Sequence, residues 1–265
     1  NVTCNPRQTM RHCIWCNKTE ESVPFKRKAH VLPQTLGATA ICDNVCDICN
    51  LYFGSAEQGR PSVETVLKET FNISRGVFLR TSNDIGKNKP MAKFSSIYFD
   101  VDFKKNTFNL KPTYKRHKYF QEKICRQLKR GLYKVFLEET ERVNGDGHDD
   151  KYNFIREFAR YDLGDFPLFY FERSKGIFAL SSNFIKTPDH FLRKEFRYKY
   201  LVDEPSFYEF DLLGHTFGIA TSRTWEIMVD NYIKKSLEAK KELFKTCKVV
   251  TNFHDIDLAL SILSK

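Results

Sequence analysis

The sequence predicts an α+β protein with a small metal-stapled module at its N-terminus and a larger mixed α+β domain after it. Two Cys-x-x-Cys pairs precede Asn50, at a separation that is typical of a zinc site. Apolar residues then recur at helical spacing from about His117 to Val143. Segments in which apolar and polar residues alternate stand on both sides of that pattern, and such alternation indicates half-buried strands.

Composition indicates a folded, basic protein. The chain has 265 residues, of which 41% are hydrophobic, and its 24 Phe and 12 Tyr supply large apolar side chains for a core. No stretch approaches the length of an uncharged membrane span, so we expect no membrane partner. The net charge of +10 favours a polyanionic partner such as nucleic acid, although charge alone is weak evidence.

The paired cysteines predict one tetrahedral Zn²⁺ site, because each pair places two thiolates on a single turn. They are Cys13, Cys16, Cys46 and Cys49. Four protein ligands leave no position open for water, so this zinc would be structural, although Cys42 or His12 could replace one of the four. Two redox-active dithiols are the rival interpretation, but the strand–helix context of that motif is missing. Zinc thiolates fit a reducing compartment, and we expect a cytoplasmic protein.

A polar segment rich in turn-forming residues divides the sequence. It covers residues 81–90 and ends at Pro90. We therefore predict a zinc-stapled domain over residues 1–85 and an α+β accessory domain over residues 90–265. The accessory domain would position the substrate or regulate the first domain.

The accessory domain is predicted to begin with a hairpin, in which Ile97–Phe103 and Thr107–Leu110 flank a lysine-rich turn. Phe120, Ile124 and Leu128 start the apolar face of the long helix, and Asn144-Gly145 ends it. The remaining predicted elements are a helix at Asp150–Tyr161, strands at Leu168–Glu172, Ile177–Ser181, Phe207–Leu212 and Phe217–Thr221, and helices at Trp225–Phe244 and Ile256–Leu263.

Positive charge is concentrated around the long helix. Residues 86–135 contain 14 Lys and Arg against 3 Asp and Glu, a net charge of 14 − 3 = +11. One face of the helix carries Lys118, Arg126, Arg130 and Lys134. This face is either solvated or a ridge that binds nucleic-acid phosphates, and we favour the second interpretation slightly. In the N-terminal module, the run Lys26, Arg27 and Lys28 could also contact a phosphate.

A longer motif surrounds the cysteine pairs. It comprises Cys13-x-x-Cys16, Ala29-His30-Val31-Leu32-Pro33, Leu36-Gly37, Asp43-Asn44-Val45-Cys46-Asp47-Ile48-Cys49-Asn50 and Phe53-Gly54. In this order the residues resemble the HNH endonuclease family, in the zinc-stapled branch whose last motif residue is asparagine. The resemblance covers about the first 60 residues.

The resemblance implies a ββα-metal nuclease fold that hydrolyses DNA. In it, His30 would end the first strand as the general base, Asn44 would brace the loop and the histidine, and Asn50 would bind a catalytic Mg²⁺ or Mn²⁺. The chemistry of these residue types agrees. An imidazole has an ordinary pKa of roughly 6.5 and accepts a proton from water at neutral pH. An amide oxygen is a neutral, hard ligand suited to Mg²⁺.

One position departs from the family pattern. Many members carry Asp or Glu immediately before the histidine as a second metal ligand, whereas this chain has Ala29. Either Asn50 is the only protein ligand of the catalytic metal, or the metal site is impaired. We favour the first alternative, which predicts weak metal affinity and a need for millimolar Mg²⁺ or for Mn²⁺.

The leading hypothesis is therefore a metal-dependent DNA endonuclease, and its large accessory domain suits bacterial restriction or phage defence. A zinc-ribbon protein that binds nucleic acid without catalysis is the first alternative. The second is an effector whose nuclease is released by a ligand or a regulatory protein partner sensed by residues 90–265. A homodimer is compatible with each hypothesis.

Overall fold

The computed structural model describes residues 10–57, 59–83, 95–102, 107–115, 118–174, 186–188, 206–239 and 241–258. The helices in these ranges are α1 (Asp47–Gly54), α2 (Val63–Asn83), α3 (Pro112–Lys115), α4 (Lys118–Asn144), α5 (Asn153–Tyr161) and α6 (Trp225–Ala239). The strands are β1 (Phe99–Asp102), β2 (Thr107–Leu110), β3 (Leu168–Arg173), β4 (Phe207–Leu212), β5 (His215–Ala220) and β6 (Phe244–Val249). The mixture of helices and sheets confirms the predicted α+β class.

A four-stranded antiparallel sheet lies in the second half of the chain, with strand order β4-β5-β3-β6. Strand β5 is buried along its whole length because it has a neighbour on each side. Leu213 and Gly214 join β4 to β5 with φ angles of 47° and 85°. Two consecutive positive φ angles are typical of the two-residue type I′ hairpin, which glycine favours. The hairpin predicted near Gly214 is thereby confirmed.

The second hairpin pairs β1 with β2, so that Phe99 lies opposite Leu110. It confirms the hairpin predicted from the alternation of apolar and polar residues. Its Phe99 ring packs against Phe253, with 5.6 Å between the ring centroids. This hairpin is therefore attached to the C-terminal part of the described chain.

Helices cover both faces of the four-stranded sheet. On one face, Tyr232 of α6 stacks on Phe207 of β4, with ring centroids 4.0 Å apart. On the other face, Phe71 of α2 meets Phe217 of β5 edge-on at 5.8 Å. Helix α2 also packs closely on α4, where a Cβ at Gly131 would lie 2.7 Å from Leu67 Cγ. One continuous cluster of buried side chains joins the N-terminal module to α2, α4, α5 and the sheet.

The structure confirms some predicted bounds and corrects others. Helix α4 and strand β4 begin and end within one residue of their predicted positions. The predicted helix Trp225–Phe244 is too long, because α6 ends at Ala239 and Phe244 begins β6. Residues 256–258 are not helical, and the rest of that predicted helix lies outside the described residues, as does the predicted strand Ile177–Ser181. Sequence analysis missed α2 and β6.

The division into two domains stays a prediction, since residues 84–94 lie outside the described ranges. Among the helices that the structure describes, none is both long enough and apolar enough to cross a lipid bilayer.

Candidate active site

The predicted zinc ligands come together in the folded chain. The sulfur atoms of Cys13, Cys16, Cys46 and Cys49 all lie within 4.8 Å of one another. Within the described ranges, these four residues form the one group of three or more His, Cys, Asp or Glu side chains whose ligand atoms come close enough together to share a metal ion. Cys42 and His12 do not belong to it. The buried Cys42 thiol lies outside this cluster. The cluster is compatible with structural zinc.

The two cysteine pairs are fixed by local backbone geometry. After the first pair, the Asn17 N–H donates to the Cys13 carbonyl at 2.9 Å, which closes a turn, and Asn17 has a positive φ of 55°. The second pair starts α1, in which the Asn50 N–H donates to the Cys46 carbonyl at 2.9 Å. The Ile14 N–H donates to the Asn44 carbonyl and joins the two pairs directly. The staple therefore fixes the start of α1 against the N-terminal turn.

The family resemblance predicts that His30 ends a strand, whereas the structure has only an isolated bridge at this position. His30 forms an antiparallel bridge with Ile41, and the Val31 N–H donates to the Ala40 carbonyl at 3.1 Å. The Nδ1 atom of the His30 ring is buried, and no described residue forms a hydrogen bond with it. Buried polar atoms are nearly always paired. Because Nδ1 is buried, the ring can reach a bound molecule only through its other nitrogen, Nε2.

Asn50 lies in α1. Its Nδ2 atom donates to the Lys28 carbonyl at 3.3 Å. A carbonyl can only accept a hydrogen bond, so this contact orients the amide and leaves Oδ1 as the atom available to a ligand.

His30 and Asn50 line the same cleft, which has a volume of about 320 Å³. The other lining residues are Lys28, Pro33, Gln34, Thr35, Gly54, Ser62, Glu64, Thr65 and Lys68. Asn44 does not line it. Its Nδ2 atom donates instead to Glu141 Oε1 at 2.5 Å, so its side chain braces the loop against α4 and not against the histidine.

A stripe of buried polar residues on α4 holds this whole module. The stripe is Gln127, Arg130, Lys134, Glu138 and Glu141, at the spacing of three and four residues that marks one helix face. Each member bonds a different part of the module: in that order, the Pro61 carbonyl, the Tyr52 hydroxyl, the His30 carbonyl, the Trp15 indole and the Asn44 amide. Helix α4 therefore holds in place the segments that form the cleft.

Lys134 and Glu138 form a buried ion pair at the centre of the stripe. The Lys134 ammonium donates to Glu138 Oε2 at 2.7 Å, to the His30 carbonyl at 3.0 Å and to the Val31 carbonyl at 3.3 Å. The Trp15 Nε1–H donates to the other carboxylate oxygen of Glu138 at 3.1 Å. The Lys134–Glu138 pair thus connects the backbone of His30 to the turn that carries Cys13 and Cys16.

Because of the Lys134–Glu138 pair, we expect the free energy of unfolding to depend on pH. Burial raises the pKa of Glu138 to about 7, although Lys134 partly offsets the shift. Between the usual carboxyl pKa and pH 7, the folded chain keeps a proton that the unfolded chain has released. The free energy of unfolding should therefore fall as pH rises through this window, on the order of 3 kcal/mol in total. Urea unfolding at several pH values, relative to Glu138→Gln, measures the effect, because zinc loss affects both proteins equally. Parallel pH profiles would contradict it.

The predicted phosphate-binding face of α4 needs correction. Arg130 and Lys134 are fully buried and bonded within the protein, so in this fold they do not reach a phosphate. Arg126 is partly exposed, but its guanidinium bonds the Asp162 carboxylate at 2.7 Å. The side chain of Lys118 falls outside what the structure describes. By contrast, the predicted run at residues 26–28 is exposed, and its Lys28 reaches the cleft.

Sequence analysis missed the cleft wall that α2 supplies, including Glu64 and Lys68. The sequence contains a signal for helix α2. The Ser62 hydroxyl accepts from the Thr65 N–H at 3.1 Å, which is the usual helix N-cap contact, and apolar residues follow at helical spacing. Reading this cap would have predicted α2 directly after the motif.

Comparison with known proteins agrees with the geometry of the N-terminal module. The searches of curated proteins and of solved structures gave no match. Residues 13–59 match the family model described as HNH endonuclease, which spans all four zinc-site cysteines, His30, Asn44 and Asn50. Over these residues, the N-terminal module is therefore similar to the HNH endonuclease family.

Proposed function

We propose that this protein is a metal-dependent endonuclease that hydrolyses DNA phosphodiester bonds in the cleft between His30 and Asn50. The observation that carries the proposal is that these two side chains line one cleft inside the segment that matches the HNH family. A general base beside a hard-metal ligand is the combination that metal-assisted phosphodiester hydrolysis needs.

His30 is proposed to take a proton from the attacking water. An imidazole does this at neutral pH without special tuning. Its position is fixed by two contacts, the bridge to Ile41 and the Lys134 bond to its carbonyl at 3.0 Å. A base held in this way loses little entropy when the substrate binds, which favours proton transfer.

Asn50 is proposed to hold a catalytic Mg²⁺ or Mn²⁺ through Oδ1, the amide atom that the Lys28 contact leaves available. When bound, such an ion would neutralise charge that develops on the phosphate and on the leaving oxygen. Asn44 would contribute indirectly, because its bond to Glu141 fixes the loop that leads into α1.

Four basic side chains are proposed to bind the phosphates on either side of the cleaved bond. Lys28 and Lys68 line the cleft itself, while Lys26 and Arg27 are exposed next to it. Such contacts carry no base information, so they favour binding to DNA of any sequence and weaken as salt rises.

Cleavage of supercoiled plasmid in Mg²⁺ or Mn²⁺ tests the proposal. His30→Ala should slow cleavage at least about 100-fold, because it removes the base, and should leave DNA affinity almost unchanged. His254→Ala is the matched control, since His254 is exposed and outside the cleft. Equal cleavage by the His30→Ala and His254→Ala proteins would refute the catalytic assignment.

Ala29 is buried and supplies no acidic ligand, so a protein that binds nucleic acid without cleaving it is the alternative. DNA binding without cleavage in any divalent metal would favour a zinc-ribbon binding protein. Cleavage that appears only after cell extract is added would favour a gated effector. The role in restriction or phage defence stays a prediction, because it depends on the size of the accessory domain alone.

A further inference from the structure

The cleft contains a carboxylate that the HNH motif does not supply. Among the described residues that line it, Glu64 is the only acidic one. Glu64 lies in the first turn of α2, beyond the end of the segment that matches the family. It therefore reaches the cleft from an element that the motif does not include.

The Glu64 carboxylate lies against Gly54 of α1. Asn50 and Gly54 are four residues apart on α1, so they lie on the same helix face one turn apart, and both line the cleft. A Cβ at Gly54 would lie 3.5 Å from Glu64 Oε2. The glutamate oxygen therefore packs in ordinary contact distance of the face of α1 that carries Asn50.

The Glu64 carboxylate has no hydrogen-bond donor in the part of the chain that the structure describes. The nearest cation is the Lys134 ammonium, 3.9 Å from Oε1. An ammonium has three hydrogens, and Lys134 directs them to Glu138 and to the His30 and Val31 carbonyls. About 29% of the Glu64 side chain is exposed. A partly buried carboxylate without donors has the oxygen atoms that a hard cation requires.

The position before the histidine cannot supply this ligand. Ala29 is buried, and it does not line the cleft. The backbone of α2, in contrast, is fixed by the Ser62 cap and by the packing of Leu67 on Gly131. A rigid helix therefore presents Glu64 to the cleft.

We propose that Glu64 is the acidic ligand of the catalytic divalent cation and acts together with Asn50, in place of the carboxylate that Ala29 lacks. This inference rests on the proposed function of the cleft. It changes the expectation that Asn50 is the only protein ligand. It also explains why a chain with alanine before its histidine keeps a site for Mg²⁺ or Mn²⁺.

Metal affinity, measured without DNA, tests this directly. Mn²⁺ is titrated into the zinc-loaded chain and the free ion is followed by electron paramagnetic resonance. Glu64→Gln should weaken Mn²⁺ binding about 10-fold or more, because affinity for hard cations follows the charge of the ligands. Zinc content and circular dichroism should not change. Glu21→Gln is the matched control, because it makes the same change on an exposed residue outside the cleft, and it should bind as the wild type does.

The outcomes separate this inference from the proposed function. If Glu64→Gln binds Mn²⁺ as tightly as Glu21→Gln while the wild type cleaves DNA, Glu64 is not a ligand and the nuclease assignment survives. If Glu64→Gln loses the metal but the wild type cleaves nothing, the ligand assignment survives and the nuclease assignment fails. Wild-type protein that binds no Mn²⁺ at millimolar concentration also overturns the inference. His30→Ala should keep Mn²⁺ affinity and lose cleavage.

Discussion

Replacing Cys16 with serine is expected to abolish zinc binding and to destabilise the N-terminal module. The four sulfur atoms lie within 4.8 Å of one another, so the loss of one thiolate leaves an incomplete tetrahedron. In isolated zinc-finger peptides, metal binding contributes about 10–16 kcal/mol at neutral pH. Here the module also packs on α4 and α5, so part of its core should persist. We still expect a loss of several kcal/mol, because the staple fixes the start of α1.

Elemental analysis and urea unfolding measure this effect. The wild type should carry about one zinc ion, and Cys16→Ser should carry almost none. Cys16 is only half-buried, so the substitution removes little packing. Cys42→Ala is the control: it changes a fully buried cysteine of the same module that is not in the cluster, and it should keep its zinc. Zinc retained at full content in Cys16→Ser would show that the cluster is not the binding site.

The cysteine cluster and the cleft residues could be predicted because both depend on short spacings in the sequence. Two Cys-x-x-Cys turns can close around one ion almost independently of the rest of the chain. His30 and Asn50 are placed by the same local motif, since His30 precedes the second pair and Asn50 follows Cys49 directly. Their meeting in one cleft therefore follows from the motif.

Helix α4 shows what the spacing of residues in the sequence cannot predict. Its length and apolar face were predicted from spacing, but the side on which Arg130 and Lys134 lie was assigned to solvent or DNA. Helical spacing reports only that residues share a face. It does not report that the face is covered by a module more than 100 residues earlier, as the Lys134 bond to His30 shows. Lys and Arg side chains are rarely fully buried, so the sequence alone favours the interpretation in which Arg130 and Lys134 are exposed.

Glu64 was missed for a related reason. The acidic ligand was sought at the motif position, where the chain has Ala29. Its candidate substitute comes from a helix that packs beside α1, so its proximity to Asn50 depends on tertiary structure. Only the folded chain brings these residues to one cleft.

Replacing Lys134 with methionine is expected to destabilise the protein by about 3–5 kcal/mol, because it breaks a buried ion pair and leaves Glu138 either charged without a partner or protonated. Methionine keeps the length of the side chain but donates no hydrogen bond. Glu138 would lose its cation, and the His30 and Val31 carbonyls would lose their donor. Lys123→Met makes the same change on an exposed residue of α4 and should cost less than about 0.5 kcal/mol.

A double substitution separates the charge from the positioning of His30. Lys134→Met with Glu138→Leu removes both charges and should recover part of the stability, because a buried ion pair replaced by apolar residues is often nearly neutral. Cleavage should not recover with it, since His30 still lacks the bond that fixes its backbone. Urea unfolding and plasmid cleavage of the single and double variants give the two readouts. If the double variant is no more stable than Lys134→Met, the cost lies in the lost carbonyl bonds and not in the unpaired Glu138 charge.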